Sequence, residues 1–302
     1  MIYTLGESLL DIIVESPDKV ITRPGGAMLN VAISLARAKA DVSLISELGD
    51  DKTSGFIIDF LKSNNVETRY IKKYYQNNTS LALAFLDEDK KPTYTFYKSY
   101  PQNRRLLCPN TFLAGDILLF GSIYSLDSSL RNELLEVLIS AKRGGAFICY
   151  DPNIRHSHHL ENEATKNALD ENLAMADLIK GSDEDFENIF GKRTDEEYHT
   201  EIRKINPSAP LIITHGAAGV AAFFQDSKLE FPAIPVVPVS TIGAGDAFNA
   251  GLAFAMLRAD LHLDKQNGFT KNQMEILLKS GLSFSAEVCA SVDNYIGRSF
   301  LG

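Results

Sequence analysis

Cysteine is scarce and scattered. Cys108, Cys149 and Cys289 lie far apart, with no C-x-x-C pair, which argues against a zinc ribbon or a dithiol redox motif. Cys149 and Cys289 sit in apolar runs and read as small core residues. That usage fits a reducing compartment, so a cytoplasmic location is expected. No leader peptide is expected from "MIYTLGESLLDIIVES", which has no basic start and an apolar run interrupted by acidic residues. No uninterrupted apolar stretch is long enough to span a bilayer, so no membrane partner is expected. Positive charge is in deficit, with 30 Lys and Arg against 39 Asp and Glu for a net −9. That balance argues against a nucleic-acid partner. An anionic ligand would need positive charge gathered locally against the overall field.

Several signature motifs are absent as well. There is no G-x-x-x-x-G-K-[ST], which excludes a P-loop enzyme. No G-x-G-x-x-G follows the first strand, which disfavours a dinucleotide-binding dehydrogenase. No G-x-S-x-G marks a hydrolase elbow. No internal repeat, low-complexity tract or linker divides the chain, so one domain over 1–302 is expected.

What is present is an alternation of short apolar runs with helix-period segments. "IYTLG", "VSLISELG", "DILLFGS", "AFICYD", "DLIKG" and "LIITHG" read as strands. "GAMLNVAISLARAKA", "SGFIIDFLKSN" and "SLRNELLEVLISAKRGG" read as helices, the last closed by Gly144 and Gly145. Continuous apolar strands suit a parallel sheet covered on both faces. The β-α-β-α order predicts an α/β fold, a doubly wound and mostly parallel sheet with helices on both faces. "SLALAFLDEDKKPTYTFYK" carries a hairpin signal, and "DIIVESPDKVITRPGG" is strand-rich. These excursions, at about 11–24 and 78–104, read as a small accessory sheet, either a lid or a surface hairpin without a chemical role.

Four stretches carry candidate chemistry. In "STIGAGDAFNAG" a helix begins near Gly245, and its first amides are unsatisfied within the helix. The helix dipole adds positive charge there, and Gly243, Ala244 and Gly245 let a ligand approach the backbone. That is an anion hole fit for a phosphate; the plainer alternative is a glycine turn with Asp246 favouring the first helical turn. Beside a phosphate, Asp246 needs a reason to be there, and accepting a proton from an attacking alcohol is one. The dipole is expected to keep it ionised at pH 7. "RPGGAMLNVA" places Gly25 and Gly26 before a helix bearing Asn30, which can donate and accept to a hydroxyl; a plain turn-to-helix junction is equally compatible. "YDPNIRHSHH" follows a strand, where ligands of open α/β sheets bind. Arg155 there could neutralise a phosphoryl group or simply pair with an Asp. The spacing of His156, His158 and His159 fits no common zinc pattern. "ITHGAAG" is a strand followed by glycines, either a nucleotide loop or a plain βα turn.

Taken together and in order, "GESLLD", "GGAMLNVA", "DPNIR", "LIKGSDED", "THGAAG" and "STIGAGDAFNAG" resemble the ribokinase/PfkB family of carbohydrate kinases over almost the whole chain. The resemblance implies an ATP-dependent kinase with magnesium. Asp246 would be the base, Gly243, Ala244 and Gly245 the anion hole, and Arg155 a neighbour of the moving phosphate. Asp11, Gly25, Gly26 and Asn30 would bind sugar hydroxyls. Lys180, Ser182 and Asp185 would support the nucleotide, with Asp185 reaching magnesium through water. Thr214, Gly216 and Gly219 would line the ATP site, and the small sheet would form a lid and a homodimer interface.

Two departures stand out. Ser182 and Asp185 replace the family's usual Asn and Glu. Ser240 stands where many members carry an Asp that helps hold a monovalent cation, which puts potassium activation in doubt. "RPGGAMLNVA" and "DPNIR" resemble fructokinases and 2-keto-3-deoxygluconate kinases. Tyr97 and Lys98 fall near a Tyr-Arg pair that serves a sugar carboxylate in the keto-acid kinases, and a lysine is a less specific partner for it. Fructose is the expected acceptor, the keto-acid sugar the second. A nucleoside kinase of the same fold, with Phe96 and Tyr97 in an aromatic pocket, and a non-catalytic sugar- or nucleotide-binding regulator are the other readings.

Overall fold

The computed structural model describes residues 1–16, 18–86, 92–155, 160, 162–259 and 268–300. Its strands are β1 (Ile2–Leu5), β2 (Leu9–Ser16), β3 (Lys19–Gly25), β4 (Val42–Gly49), β5 (Ile71–Tyr74), β6 (Leu81–Leu86), β7 (Pro92–Tyr97), β8 (Ile117–Gly121), β9 (Phe147–Asp151), β10 (Leu178–Ser182), β11 (Leu211–Thr214), β12 (Val220–Phe224) and β13 (Ser227–Phe231). Its helices are α1 (Ala27–Arg37), α2 (Lys52–Ser63), α3 (Arg131–Gly144), α4 (Glu163–Met175), α5 (Asp183–Phe190), α6 (Asp195–Ile205), α7 (Ala244–Arg258) and α8 (Lys271–Cys289).

The large sheet has the order β13-β12-β11-β10-β9-β8-β1-β4-β5. Seven of its strands run parallel, and β12 and β13 turn back antiparallel at one edge. The central strands are buried throughout, as runs without polar alternation require when helices cover both faces. Adjacent residues therefore feed opposite cores. Ile2, Leu119 and Cys149 join Val31, Phe248 and Leu277 on the α1/α7/α8 side. Tyr3, Leu118 and Ile148 join Leu134, Leu169 and Ile202 on the α3/α4/α6 side. Cys149 is indeed core, whereas Cys289 at the end of α8 is only half-buried. Among the described residues, no helix is long and apolar enough to cross a membrane.

The small sheet has the order β3-β2-β6-β7, with β2 and β6 parallel and both outer pairs antiparallel. It stands over the carboxyl ends of the parallel strands, and its registers sort its faces. Asp11 pairs with Arg23 and Ala82, and Ala82 with Phe96; this row faces the core. Leu10 pairs with Pro24 and Leu81, and Leu81 with Tyr97; this row faces outward. Period-two alternation makes the assignment strict.

Apart from α3, which follows Leu130 without a side-chain cap, helix starts divide into two kinds. Asp51, Asn162, Ser182, Thr194 and Thr270 cap α2, α4, α5, α6 and α8 with their side chains, each worth about 1 kcal/mol. By contrast, α1 and α7 begin after Gly26 and Gly243, which have no side chain to lend. Their first amides are left for something outside the helix.

Candidate active site

Gly243 holds the turn before α7 in the left-handed region, at φ 85°. A Cβ there would also overlap the carbonyl of Asn294, so both conformation and space demand glycine. Gly245 is exposed, and a Cβ on it would meet only the Lys180 ammonium, at 3.4 Å. The turn thus borders open space at Gly245, backed by a buried cation, while the Ala244 amide donates to the Thr241 carbonyl at 3.2 Å.

Asp246 follows in the first turn. The Asn30 amide donates to its Oδ2 at 2.9 Å, joining α1 to α7. Asn30 is buried, and its Oδ1 has no hydrogen-bond partner. Such an atom is costly unless a ligand donor meets it. Asp246 is enclosed by protein yet retains some exposed surface. Burial pushes its pKa up to about 6; the Asn30 hydrogen bond and the Arg155 charge work the other way. Desolvation is the largest influence on it. The carboxylate is still mostly ionised at pH 7.

Asp11 approaches from the lid strand β2. Burial raises its pKa to about 6 as well, with the Arg155 charge opposing. Its carboxylate lies in the space that a Cβ of Gly25 would fill, so Gly25 is small because Asp11 rests on it. Gly26, at φ 125°, lies against the carbonyl of Glu7. Arg155 is exposed, and its charge is felt by Asp11, Asp246 and Tyr94. Asp11, Gly25, Gly26, Asn30, Arg155 and Asp246 are therefore brought together.

Lys180, Ser182 and Asp185 lie on β10 and the start of α5, and Ser182 is in register with Thr214. The nucleotide candidates thus share one edge, with Gly216 and Gly219 in the positive-φ turn beyond β11. Ser182 and Asp185 form a capping box: Oδ2 of Asp185 accepts from the Ser182 amide and hydroxyl, both at 2.7 Å. Burial and the nearby Asp151 charge raise the Asp185 pKa, with Lys180 opposing.

Two candidates stand on the lid. Tyr97 is 56% exposed and in register with Leu81 and Leu10, and Phe96, in register with Ala82 and Asp11, is 54% exposed. The inward aromatics are Tyr94 and Phe96, stacked at 5.9 Å. Lys98 is paired with Glu7 at 3.7 Å, and Glu7 also accepts from Tyr100. His156, His158 and His159 lie outside the described residues.

Sequence reasoning also missed several groups. Asp151 and Asn249 sit inside two of the quoted motifs, and Asn249 stands one turn after Asp246 on α7, a spacing that signals a shared face. Between β13 and α7, Ile234, Val236, Val237, Val239 and Ile242 are all exposed. Exposed apolar residues gathered this way commonly mark a binding surface, and the proline-broken run "FPAIPVVPVS" was the available signal.

Residues 4–293 match the pfkB family carbohydrate kinase pattern. The chain belongs to that family. It is an ATP-dependent sugar kinase. A Klebsiella pneumoniae fructokinase is 34% identical over 257 residues, covering 83% of this chain and 82% of that protein. The crystal structure of Vibrio cholerae O395 fructokinase in its fructose, ADP and calcium ion bound form superposes at a TM-score of 0.85 and 22% identity, covering 99% of this chain and 97% of that one. That of Salmonella enterica aminoimidazole riboside kinase, complexed with aminoimidazole riboside and an ATP analog, superposes at 0.81 and 22% identity over 100% and 96%. At these identities the structures establish the shared fold. The kinase thus has relatives named for two different acceptors.

Proposed function

We propose that this kinase phosphorylates a hydroxyl of fructose, using ATP. The observation that carries the reading is Asp246: a carboxylate whose pKa burial raises to about 6, steered by Asn30, in the first turn of a helix with no side-chain cap. The sugar lies between Asp11 on the lid and Asn30 on the core. The proton of its reacting hydroxyl passes to the Asp246 carboxylate. The sugar oxygen bonds to the γ-phosphorus, and the bond from that phosphorus to the β–γ bridging oxygen breaks, its electron pair leaving with ADP. The amides of 243–245 and Arg155 take up charge on the moving group. The apolar run 234–242 gives the base of the nucleotide a surface beside that turn.

Fructose over the keto-acid sugar is supported by the fructokinase relative and by the spent charge of Lys98. A sugar carboxylate would have to compete with Glu7 for it. The stacked Tyr94 and Phe96 on the lid's inner face favour, as a second reading, an acceptor carrying a flat ring, a nucleoside-like substrate.

Magnesium fits the residues present. Among the described residues no group of three or more His, Cys, Asp or Glu could hold an ion, which suits one carried mainly by nucleotide phosphates and water. Asp185 would hold it through water, and the ion when bound would neutralise phosphate charge. The Ser240 hydroxyl accepts from the Ile242 amide at 3.2 Å within its own turn, and potassium dependence is not proposed. The outward lid face, with Val20, Phe85 and Tyr97 each at least half exposed, is proposed to pair with a second copy in a cytoplasmic homodimer.

An assay coupled to ADP release, run across fructose, 2-keto-3-deoxygluconate and nucleosides, tests the reading. Fructose should give the highest kcat/KM. Turnover confined to another acceptor overturns the substrate assignment, and sugar binding without ADP release on any acceptor points to a regulator.

A further inference from the structure

Behind the glycine turn lies a buried ion pair in which Lys180, a nucleotide candidate, meets Asp151, a residue given no part so far. Lys180 and Asp151 are neighbours on the parallel strands β10 and β9, continuing the register of Leu178 with Cys149 and Ile179 with Tyr150. Both are almost wholly buried. Oδ2 of Asp151 accepts from the Lys180 ammonium at 3.0 Å and from the Asn249 amide, on α7, at 2.5 Å. Its Oδ1 is buried without a partner. The ammonium stands 3.4 Å from where a Cβ of Gly245 would be.

This arrangement is a poor stabiliser. A buried ion pair strengthens a fold only when every remaining lone pair is satisfied, and apolar residues of similar volume often do as well. Half of the Asp151 carboxylate is unsatisfied. The location fits a functional role better. Asp151 contacts the ammonium, and the charges of Asp185 and Asp246 also act on it. Burial works against the charged Lys180, and the Asp151 and Asp185 charges more than offset it, raising its pKa. Without a cation fixed on the α7 side, those acids would make the anion turn repel a phosphate.

We infer that Asp151 and Asn249 are positioning residues: they hold the Lys180 ammonium against the back of the 243–245 turn, where it strengthens that turn's grip on the transferring phosphoryl group. The inference rests on the kinase reading above and adds a fixed charge to the backbone site.

Three variants test it: Asp151→Asn, Lys180→Met and the double variant. Each single change strands a buried partner and lowers Tm; removing both charges together restores much of that loss. Lys180→Met should lower kcat about a hundredfold or more, in the range of losing one preorganised oxyanion-type donor. The double variant should regain stability while its kcat stays as low. A double variant that regains both overturns the inference, because the pair would then be purely structural.

The pH profile gives a second readout. Asp246 faces Asn30 from α1, Arg155 beyond β9, Asp151 from β9 and Lys180 from β10. Asp151→Asn should move the acid limb to lower pH and Lys180→Met to higher pH. Shifts in one direction, or none, overturn it. Calorimetry with ATP needs no turnover, and Lys180→Met should weaken binding about tenfold; unchanged affinity counts against the inference. A wild type inactive on every acceptor, whose ATP affinity still depends on Lys180, would defeat the sugar-kinase reading and leave the lysine's role supported.

Discussion

The starts of α5 and α7 make an instructive pair. Both helices begin at the carboxyl edge of the large sheet, and both carry aspartate at the third helical position, Asp185 and Asp246. In α5 the capping residue is Ser182, and Asp185 folds back to accept from it. In α7 the capping residue is Gly243, which offers no side chain, and Asp246 turns to Asn30. One acid caps its own helix; the other leaves its helix without a side-chain cap and meets a residue of α1 instead. The difference lies in a single capping residue, so the same sequence pattern of an acid in a first turn carries opposite meanings.

The comparison breaks most directly at Asp246. Asp246→Asn should cut kcat by about 10²–10⁴, the usual worth of a general base, with sugar binding retained by calorimetry. Near-wild-type turnover would remove its role. The same change should raise Tm at pH 7.5. A carboxylate whose folded pKa is raised to about 6 destabilises the fold while ionised. That cost is present above about pH 6 and fades as pH falls through it, so the gain in Tm should shrink toward pH 5.

Next in size is Gly243→Ala, which adds strain at a positive φ and an overlap with Asn294. A loss of about a hundredfold in kcat is expected from displaced amides; full activity in a folded variant would separate the turn from catalysis. The third effect is on pH. Since Asp246 must be ionised to accept a proton, kcat/KM should be full above about pH 7 and fall roughly tenfold per unit below about 6. A limb centred near the ordinary aspartate value would show that burial does not raise the pKa of Asp246 in the free enzyme. Smallest is Ser182→Ala, which should lower stability by about 1 kcal/mol in urea melts and reduce turnover far less than Gly243→Ala. An equal loss of turnover would mean that both helix starts serve the phosphate.

Much of this was legible in the chain. The two-faced sheet follows from uninterrupted apolar strands, and the α7 turn from three small residues before an acid. Other features were not, for identifiable reasons. Alternation along β7 separates Phe96 from Tyr97 but does not say which face meets the site; that depends on a register with β6 and β2. Asp151 and Asn249 are 98 residues apart, and no local spacing could pair them. Nor could sequence tell that Lys98 is engaged by Glu7, or that burial would raise the pKa of Asp246.

Asp11 stands on the small sheet, while Asn30 and Asp246 stand on helices α1 and α7, packed on the large one. The acceptor site proposed above is therefore split between the two sheets' layers. A sugar that bridges them works as a temporary crosslink, and its departure requires that crosslink to be cut. A molecule that spans Asp11 and Asn30 without offering a hydroxyl to Asp246 would lock the sheets together, making the sheet-to-sheet gap itself a target for inhibition.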